Sequence, residues 1–198
     1  MFVKICGLNS AESIQAAIDA GADALGFVFA ESPRRVTPEQ AAELTRDLPP
    51  SIGKVAVMFH PTQDEWAIVR DVFKPGWLQT EAADFEHLEV PSDVGCFPVY
   101  RDKASGEFDD QEMQWPSHIL FEGARSGVGL QPNWEHAAHI AHRTCVMLAG
   151  GLNADNVREA IIRVHPWGVD VSSGVESSPG VKDPQKIRAF VEAAKSAS

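Results

Sequence analysis

The 198-residue sequence is poor in cysteine and in basic side chains. Its three cysteines, Cys6, Cys96 and Cys145, are odd in number and widely spaced, which argues against a disulfide framework and against a paired-cysteine metal site. Lysine and arginine together number 17 against 28 aspartates and glutamates, giving a formal net charge of −11. A chain this acidic is not expected to bind nucleic acid.

Long apolar runs are also missing. No stretch approaches the roughly 18 apolar residues of a membrane-spanning helix, and the most apolar segment, residues 22–30, contains Asp23. The first residues lack the basic region that precedes the apolar core of a signal peptide. We therefore expect a cytoplasmic protein with no membrane contact. A hydrophobic fraction of 44% and a charged fraction of 23% are typical of a globular domain.

Short apolar runs alternate with longer amphipathic segments along the whole chain. The apolar runs predict eight strands, at residues 2–5, 24–29, 55–59, 77–80, 97–100, 118–121, 144–148 and 168–171. The amphipathic segments predict helices that begin near residues 11, 38, 63, 134, 154 and 184. The helical signal is weakest over residues 81–95 and 101–116.

The predicted strands are rich in Val, Ile, Leu and Phe without polar alternation, as parallel strands covered by helices on one face and packed on the other must be. This order of elements fits either an open doubly wound sheet or a closed (β/α)8 barrel. A count of eight strands favours the barrel. We predict an α/β protein with one domain, a TIM barrel over residues 1–198, with about 25 residues in each β/α unit.

Ionisable side chains occur where two of these strands end, which is where barrel enzymes carry their active sites. Cys6 precedes Gly7 at the end of the first strand, where the start of the next helix could favour a thiolate. The alternative is that Cys6 is a buried small hydrophobe. Glu122 ends the sixth strand, and it is either a catalytic carboxyl group or part of a salt bridge at the rim.

Small residues follow the last two strands. Such loops expose backbone N–H groups that can surround a phosphate, and this fold commonly builds its phosphate site there. The residues that we assign to phosphate binding are Gly150, Gly151, Ser172, Ser173 and Gly174. The alternative is that both loops are merely tight turns, and Asp170 could cap the second of them.

Two further sets of polar residues have simple alternatives. Arg34, in the loop after the second strand, could bind a carboxylate through two parallel hydrogen bonds, or it could be a solvated surface residue. His136, His139 and His142 recur every three residues on a predicted helix, and we interpret them as a partly solvated face. No metal site is predicted.

Five segments of the sequence resemble the phosphoribosylanthranilate isomerase family. They are Lys-Ile-Cys-Gly-Leu at residues 4–8, Ala-Gly-Ala-Asp-Ala-Leu-Gly-Phe-Val-Phe at 20–29, Ser-Pro-Arg at 32–34, Leu-Ala-Gly-Gly-Leu-Asn at 148–153 and Gly-Val-Asp-Val-Ser-Ser-Gly-Val-Glu at 168–176. The first and last of these occur together in a highly specific combination. The likeness extends over the whole chain.

The resemblance implies a (β/α)8 barrel that works without cofactor or metal. It implies the Amadori rearrangement of N-(5′-phosphoribosyl)anthranilate to 1-(2-carboxyphenylamino)-1-deoxyribulose 5-phosphate, a step of tryptophan biosynthesis. Cys6 would be the general base on the sugar C2′ proton, and Glu122 the general acid on the ring oxygen. Arg34 would bind the anthranilate carboxylate, and we also assign Gly7 and Asp170 to substrate binding. The expected partner is this phosphorylated small molecule, and the chain is expected to be a monomer or a homodimer.

Three departures from the family pattern keep alternatives open. Glu122 stands where the family has an aspartate. Residues 126–134 lack the lysine of the family's Gly-Gly-Thr-Gly-Lys-x-Phe-Asp-Trp segment. Residues 79–82 are Gln-Thr-Glu-Ala in place of Gln-Leu-His-Gly. The alternatives are a diverged barrel enzyme for another phosphorylated sugar or amine, and a non-catalytic protein that binds a phosphorylated ligand.

Overall fold

The computed structural model describes residues 1–102, 114–123 and 131–197. In this part of the chain, eight parallel strands are hydrogen-bonded in sequence order and close into a barrel, with β8 paired to β1. The strands are β1 (Phe2–Cys6), β2 (Ala24–Val28), β3 (Gly53–Val57), β4 (Trp77–Glu81), β5 (Gly95–Arg101), β6 (His118–Glu122), β7 (Cys145–Leu148) and β8 (Gly168–Val171). The predicted closed barrel is confirmed.

Helices cover the outside of the barrel. In the described ranges they are α1 (Ala11–Ala20), α2 (Pro38–Leu44), α3 (Gln63–Phe73), α4 (Trp134–Ala141), α5 (Val157–Val164) and α6 (Pro184–Lys195). Side-chain caps fix where they begin: Thr37 and Thr62 each form a capping box at the start of α2 and α3. Gly21 ends α1 in the left-handed conformation, with φ of +88°. In the described residues, no helix is long and apolar enough to cross a membrane.

The connections differ from a regular barrel in two places. A short 3₁₀ turn, Ala82–Glu86, links β4 to β5 where the helical signal of the sequence is weak. After β8, a hairpin of β9 (Glu176–Ser178) and β10 (Val181–Lys182) precedes α6. The weak signal predicted over residues 101–116 lies largely outside the described residues.

The start of α5 differs from the prediction. The sequence predicts a helix from residue 154, but the helix begins at Val157. The side-chain oxygen of Asn153 accepts hydrogen bonds from the N–H groups of Asp155 and Asn156, at 2.9 and 3.2 Å. This local pairing holds the segment as a turn in place of the first helical turn.

Alternate residues of each strand face two separate cores. Outward side chains such as Ile5 and Phe27 pack against the helices. Inward side chains fill the barrel toward the amino ends of the strands, where Trp77 stacks on Phe97 with ring centroids 4.4 Å apart. Nearer the carboxyl ends of the strands the inward residues become polar. The apolar filling therefore closes one end of the barrel and leaves a polar cavity at the other.

Candidate active site

A cavity of about 1030 Å³ opens at the carboxyl ends of the strands. It is lined by nine of the ten residues predicted for the site, namely Cys6, Arg34, Glu122, Gly150, Gly151, Asp170, Ser172, Ser173 and Gly174. These residues come from β1, the loop after β2, β6, and the segments at the ends of β7 and β8. Closure of the barrel thus brings together side chains that are far apart in sequence.

Cys6 lies on the inner face of β1 and is 6% exposed. Burial raises the pKa of its thiol, while the nearby ammonium groups of Lys4 and Lys182 lower it and Asp170 raises it. The next helix, α1, begins only at Ala11. The groups that favour the Cys6 thiolate are buried lysines.

Asp170 carries the counter-charge to one of these lysines. Its carboxylate accepts a hydrogen bond from Lys4 Nζ at 2.7 Å, and Lys4 is fully buried. The two residues are register partners on the neighbouring strands β1 and β8. Asp170 therefore belongs to an ion pair in the wall of the cavity.

Arg34 is held by a carboxylate from the β9 strand. Its Nε and Nη2 donate to the two carboxylate oxygens of Glu176, at 2.6 and 2.9 Å. Lys182 Nζ donates to the same carboxylate at 2.8 Å. Burial works against ionisation of Glu176, but these hydrogen bonds hold its pKa below the ordinary value. The hairpin after β8 thereby fixes the guanidinium of Arg34 at the cavity.

Gly7 does not line the cavity. A Cβ on Gly7 would lie 2.6 Å from Arg34 Cδ, and its φ of +76° favours glycine. Its N–H group donates to the carbonyl of Gly26 at 2.9 Å. Gly7 thus contributes the space that the Arg34 side chain crosses.

Glu122 is paired with an arginine from the neighbouring strand. Arg101 Nη1 lies 2.8 Å from Glu122 Oε1. The same guanidinium also pairs with Glu81 at the end of β4, with Nε 3.2 Å from Glu81 Oε2. The rim salt bridge considered from the sequence is therefore present, and it links the carboxyl ends of β4, β5 and β6.

The two loops assigned to phosphate binding touch each other. Gly150 and Gly151 both have positive φ, +90° and +65°, which glycine alone adopts readily. A Cβ on Gly174 would lie only 1.9 Å from the carbonyl oxygen of Leu152. The loop after β8 can approach the loop after β7 so closely only because residue 174 has no side chain.

Gly174→Ala is accordingly expected to destabilise the protein. The added methyl must push apart two backbone segments, and overpacking of this kind costs about 3 kcal/mol or more when backbone has to move. Gly76→Ala is the matched control, because the atom nearest to its Cβ would be 3.9 Å away and its φ is ordinary. Urea unfolding should give a large loss for Gly174→Ala and a change within about 1 kcal/mol for Gly76→Ala. Equal losses would contradict this account of the loops.

Several polar residues of the site were given no role by sequence reasoning. Lys4, Arg101, Glu176 and Lys182 act through ion pairs between distant segments, and no local pattern announces such pairs. Gln79 Oε1 is buried at the cavity with no hydrogen-bond partner among the described residues. A signal for Gln79 existed, since it opens the residue 79–82 segment compared with the family.

The departures from the family pattern can be placed in part. Glu81 is paired with Arg101, and Asn133 caps α4 by accepting from the N–H groups of Glu135 and His136. Residues 126–130 lie outside the described residues. Within the described ranges, no three His, Cys, Asp or Glu side chains are grouped as metal ligands would be. His136 is paired instead with Asp102, at 3.1 Å.

The protein is a closed (β/α)8 barrel in which a thiol, a carboxyl group and two close-packed loops of small residues surround one cavity. These features define the class of barrel enzymes that act on small phosphorylated molecules. The model of the N-(5′-phosphoribosyl)anthranilate isomerase family matches residues 3–193. The chain belongs to this family.

Individual relatives agree in sequence and in structure. An N-(5′-phosphoribosyl)anthranilate isomerase from Listeria innocua is 39% identical over 206 residues, covering 98% of each chain. A phosphoribosyl anthranilate isomerase in complex with reduced 1-(o-carboxyphenylamino)-1-deoxyribulose 5-phosphate superposes with a TM-score of 0.82, at 29% identity and 99% coverage of both chains. Monomers generated from the dimeric enzyme of Thermotoga maritima give 0.80, at the same identity and coverage.

Proposed function

We infer that the protein is an N-(5′-phosphoribosyl)anthranilate isomerase that carries out the Amadori rearrangement in tryptophan biosynthesis. The observation that carries this inference is the convergence of Cys6, Glu122, Arg34 and both small-residue loops on one cavity in a member of this family. The product is 1-(2-carboxyphenylamino)-1-deoxyribulose 5-phosphate. A complex of a relative with the reduced form of this product supports the choice of substrate.

Binding of a doubly charged phosphate and a carboxylate by a protein of net charge −11 has to be local. We assign the phosphate to the backbone N–H groups of Gly150, Gly151 and Gly174 and to the hydroxyls of Ser172 and Ser173. We assign the anthranilate carboxylate to Arg34. Glu176 uses two of the five N–H donors of that guanidinium, so further donors remain for a ligand.

The chemistry needs one acid and one base. Glu122 gives a proton to the furanose ring oxygen, the bond from C1′ to that oxygen breaks, and C1′ forms a protonated imine with the anthranilate nitrogen. Cys6, as thiolate, then removes the proton from C2′. The resulting enol tautomerises to the ketone of the product. A correctly placed acid or base of this kind contributes about 10²- to 10⁴-fold in rate.

Glu122 can act as an acid only while it carries a proton, and an arginine neighbour favours the ionised form. Glu81 can keep the Arg101 guanidinium away from Glu122, because Arg101 already pairs with Glu81. We propose that Arg101 stays with Glu81 when Glu122 turns to the substrate. Glu81, which stands where the family has a histidine, would then hold Arg101 while Glu122 acts as the acid in the same reaction.

Assembly and location follow the family by analogy. The dimeric relative from Thermotoga maritima supports a homodimer as one of the two expected states, with a monomer as the other. The cytoplasmic location expected from the sequence stays a prediction, as does the absence of nucleic-acid binding. The assignment of residues 1–198 to one domain is likewise our proposal.

The function is tested by turnover. Purified protein should consume freshly formed N-(5′-phosphoribosyl)anthranilate, followed by the loss of its fluorescence, and the gene should restore growth of a tryptophan auxotroph that lacks the isomerase. Folded protein that turns over only another phosphorylated sugar or amine would favour the diverged enzyme. Tight binding of the reduced product without turnover in either direction would favour the non-catalytic binder.

A further inference from the structure

Lys4 is a buried charge next to the proposed base. Lys4 and Cys6 are two residues apart on β1, so both side chains lie on the same face of the strand, toward the barrel interior. Lys4 is 0% exposed, and its Nζ lies 2.7 Å from Asp170 Oδ1. A buried ion pair is often no more stabilising than apolar residues of similar volume. Stability alone therefore does not explain an ammonium group at this position.

Gly26 links Lys4 to Cys6 in space. It is the register partner of Cys6 on the neighbouring strand β2. A Cβ on Gly26 would lie 3.1 Å from Cys6 Sγ and 3.1 Å from Lys4 Nζ. The sulfur and the ammonium therefore border the same small space and are separated by no more than twice that distance. A side chain at position 26 would crowd both atoms, and each would have to move by a few tenths of an ångström.

We propose that Lys4 is a positioning residue whose buried ammonium group stabilises the thiolate of Cys6. Asp170 orients the ammonium from β8, and the absence of a side chain at Gly26 leaves room for the ammonium and the sulfur to lie close together. At this separation, in a site removed from water, an opposite charge acts far more strongly than at the surface. The inference rests on the proposed function in that it takes Cys6 as the base.

Other charged groups also face Cys6. Lys182 approaches from β10, Arg34 from the loop after β2 and Asp170 from β8, with Glu176 paired to Lys182 and Arg34. Burial raises the pKa of the Cys6 thiol, and the lysines oppose that rise. Loss of Lys4 removes one opposing cation and leaves the negative charge of Asp170 uncompensated. Both changes raise the pKa of Cys6, so less thiolate is present at neutral pH.

The test measures the ionisation of Cys6 itself. In a Cys96→Ser/Cys145→Ser background, the rate of alkylation by iodoacetamide is followed against pH, together with thiolate absorbance near 240 nm. Lys4→Met should slow alkylation at pH 7 by about tenfold or more, which corresponds to a rise of about one unit in the pKa. In the pH profile of activity, the rising limb that reports ionisation of Cys6 should move to higher pH. Activity should therefore recover at high pH, whereas activity lost through a folding defect would not.

Lys54→Met is the matched control. Lys54 is another barrel-strand lysine, but its Nζ donates to the carbonyl of Phe73. It should leave the Cys6 titration unchanged. Gly26→Ala is the second variant, because it keeps Lys4 and Asp170 while adding a methyl group that displaces the sulfur and the ammonium from their present positions. We expect alkylation at pH 7 to slow in the same direction as in Lys4→Met.

The outcomes separate clearly. A folded Lys4→Met protein with the Cys6 titration of the parent would overturn the proposal. If Lys4→Met does not fold, an unshifted titration in Gly26→Ala overturns it and a shifted one supports it. If the parent protein shows no isomerase turnover but Lys4→Met still shifts the titration of Cys6, the role of Lys4 is supported and the proposed function is refuted.

Discussion

Cys6→Ala is expected to lower kcat by about three orders of magnitude. The variant loses the only group assigned to proton removal from C2′, and general-base catalysis contributes about 10²- to 10⁴-fold. The effect should be confined largely to kcat. We assign binding of the phosphate and of the anthranilate carboxylate to other groups, namely the loops and Arg34. The measurement is the steady-state fluorescence assay over a range of substrate concentrations.

Cys145→Ala and Cys96→Ala are the controls for this substitution. Both residues are free thiols in barrel strands, but neither lines the cavity. Each variant should keep kcat within a few-fold of the parent. Wild-type activity in Cys6→Ala would remove Cys6 from the mechanism, and the proposal for Lys4 would lose its reason along with it.

Glu122→Gln is expected to lower kcat by about two to three orders of magnitude. The amide keeps the size of the side chain but cannot give up a proton to the ring oxygen. Glu122→Asp should keep far more activity than Glu122→Gln. It keeps the acid and supplies the residue found at this position in the resembling family. The loss should again be seen in kcat, with KM little changed.

The pairing of Arg101 offers a separate check on Glu122. Glu81→Gln removes a carboxylate partner of Arg101, so the guanidinium should hold Glu122 more firmly. The expected result is an intermediate loss of kcat. Full activity in Glu122→Gln would show that another group protonates the ring oxygen.

The fold could be predicted in detail wherever local interactions decide the structure. The helix predicted to begin at residue 63 does so, since Thr62 and Glu65 form a capping box there. The third strand was predicted at residues 55–59 but occupies Gly53–Val57. Its extent is set by pairing with β2, where Gly53 is the partner of Ala24. Apolarity alone extends the run to Phe59, which is 58% exposed.

The site could be predicted where a residue stands at the end of a strand or in the loop that follows it. Cys6 and Glu122 are such residues, and both line the cavity. The partners that determine their charge environment were not predictable. Arg34 and Glu176 are separated by 142 positions, and Lys182 comes from a hairpin that the strand and helix pattern does not require. These ion pairs form only when the barrel closes, and no local sequence pattern shows which residues will then be paired.

A crystal structure of the protein with reduced 1-(o-carboxyphenylamino)-1-deoxyribulose 5-phosphate tests the central claim most directly. The predicted result has the phosphate on the loops at Gly150–Gly151 and Ser172–Gly174 and the ligand carboxylate on Arg34. Cys6 Sγ should face C2′, and Glu122 should lie within hydrogen-bond distance of the C4′ oxygen, which is the ring oxygen of the substrate. A ligand bound with Glu122 still paired to Arg101 and remote from that oxygen would contradict the assignment of the acid. A phosphate bound elsewhere would contradict the site as a whole.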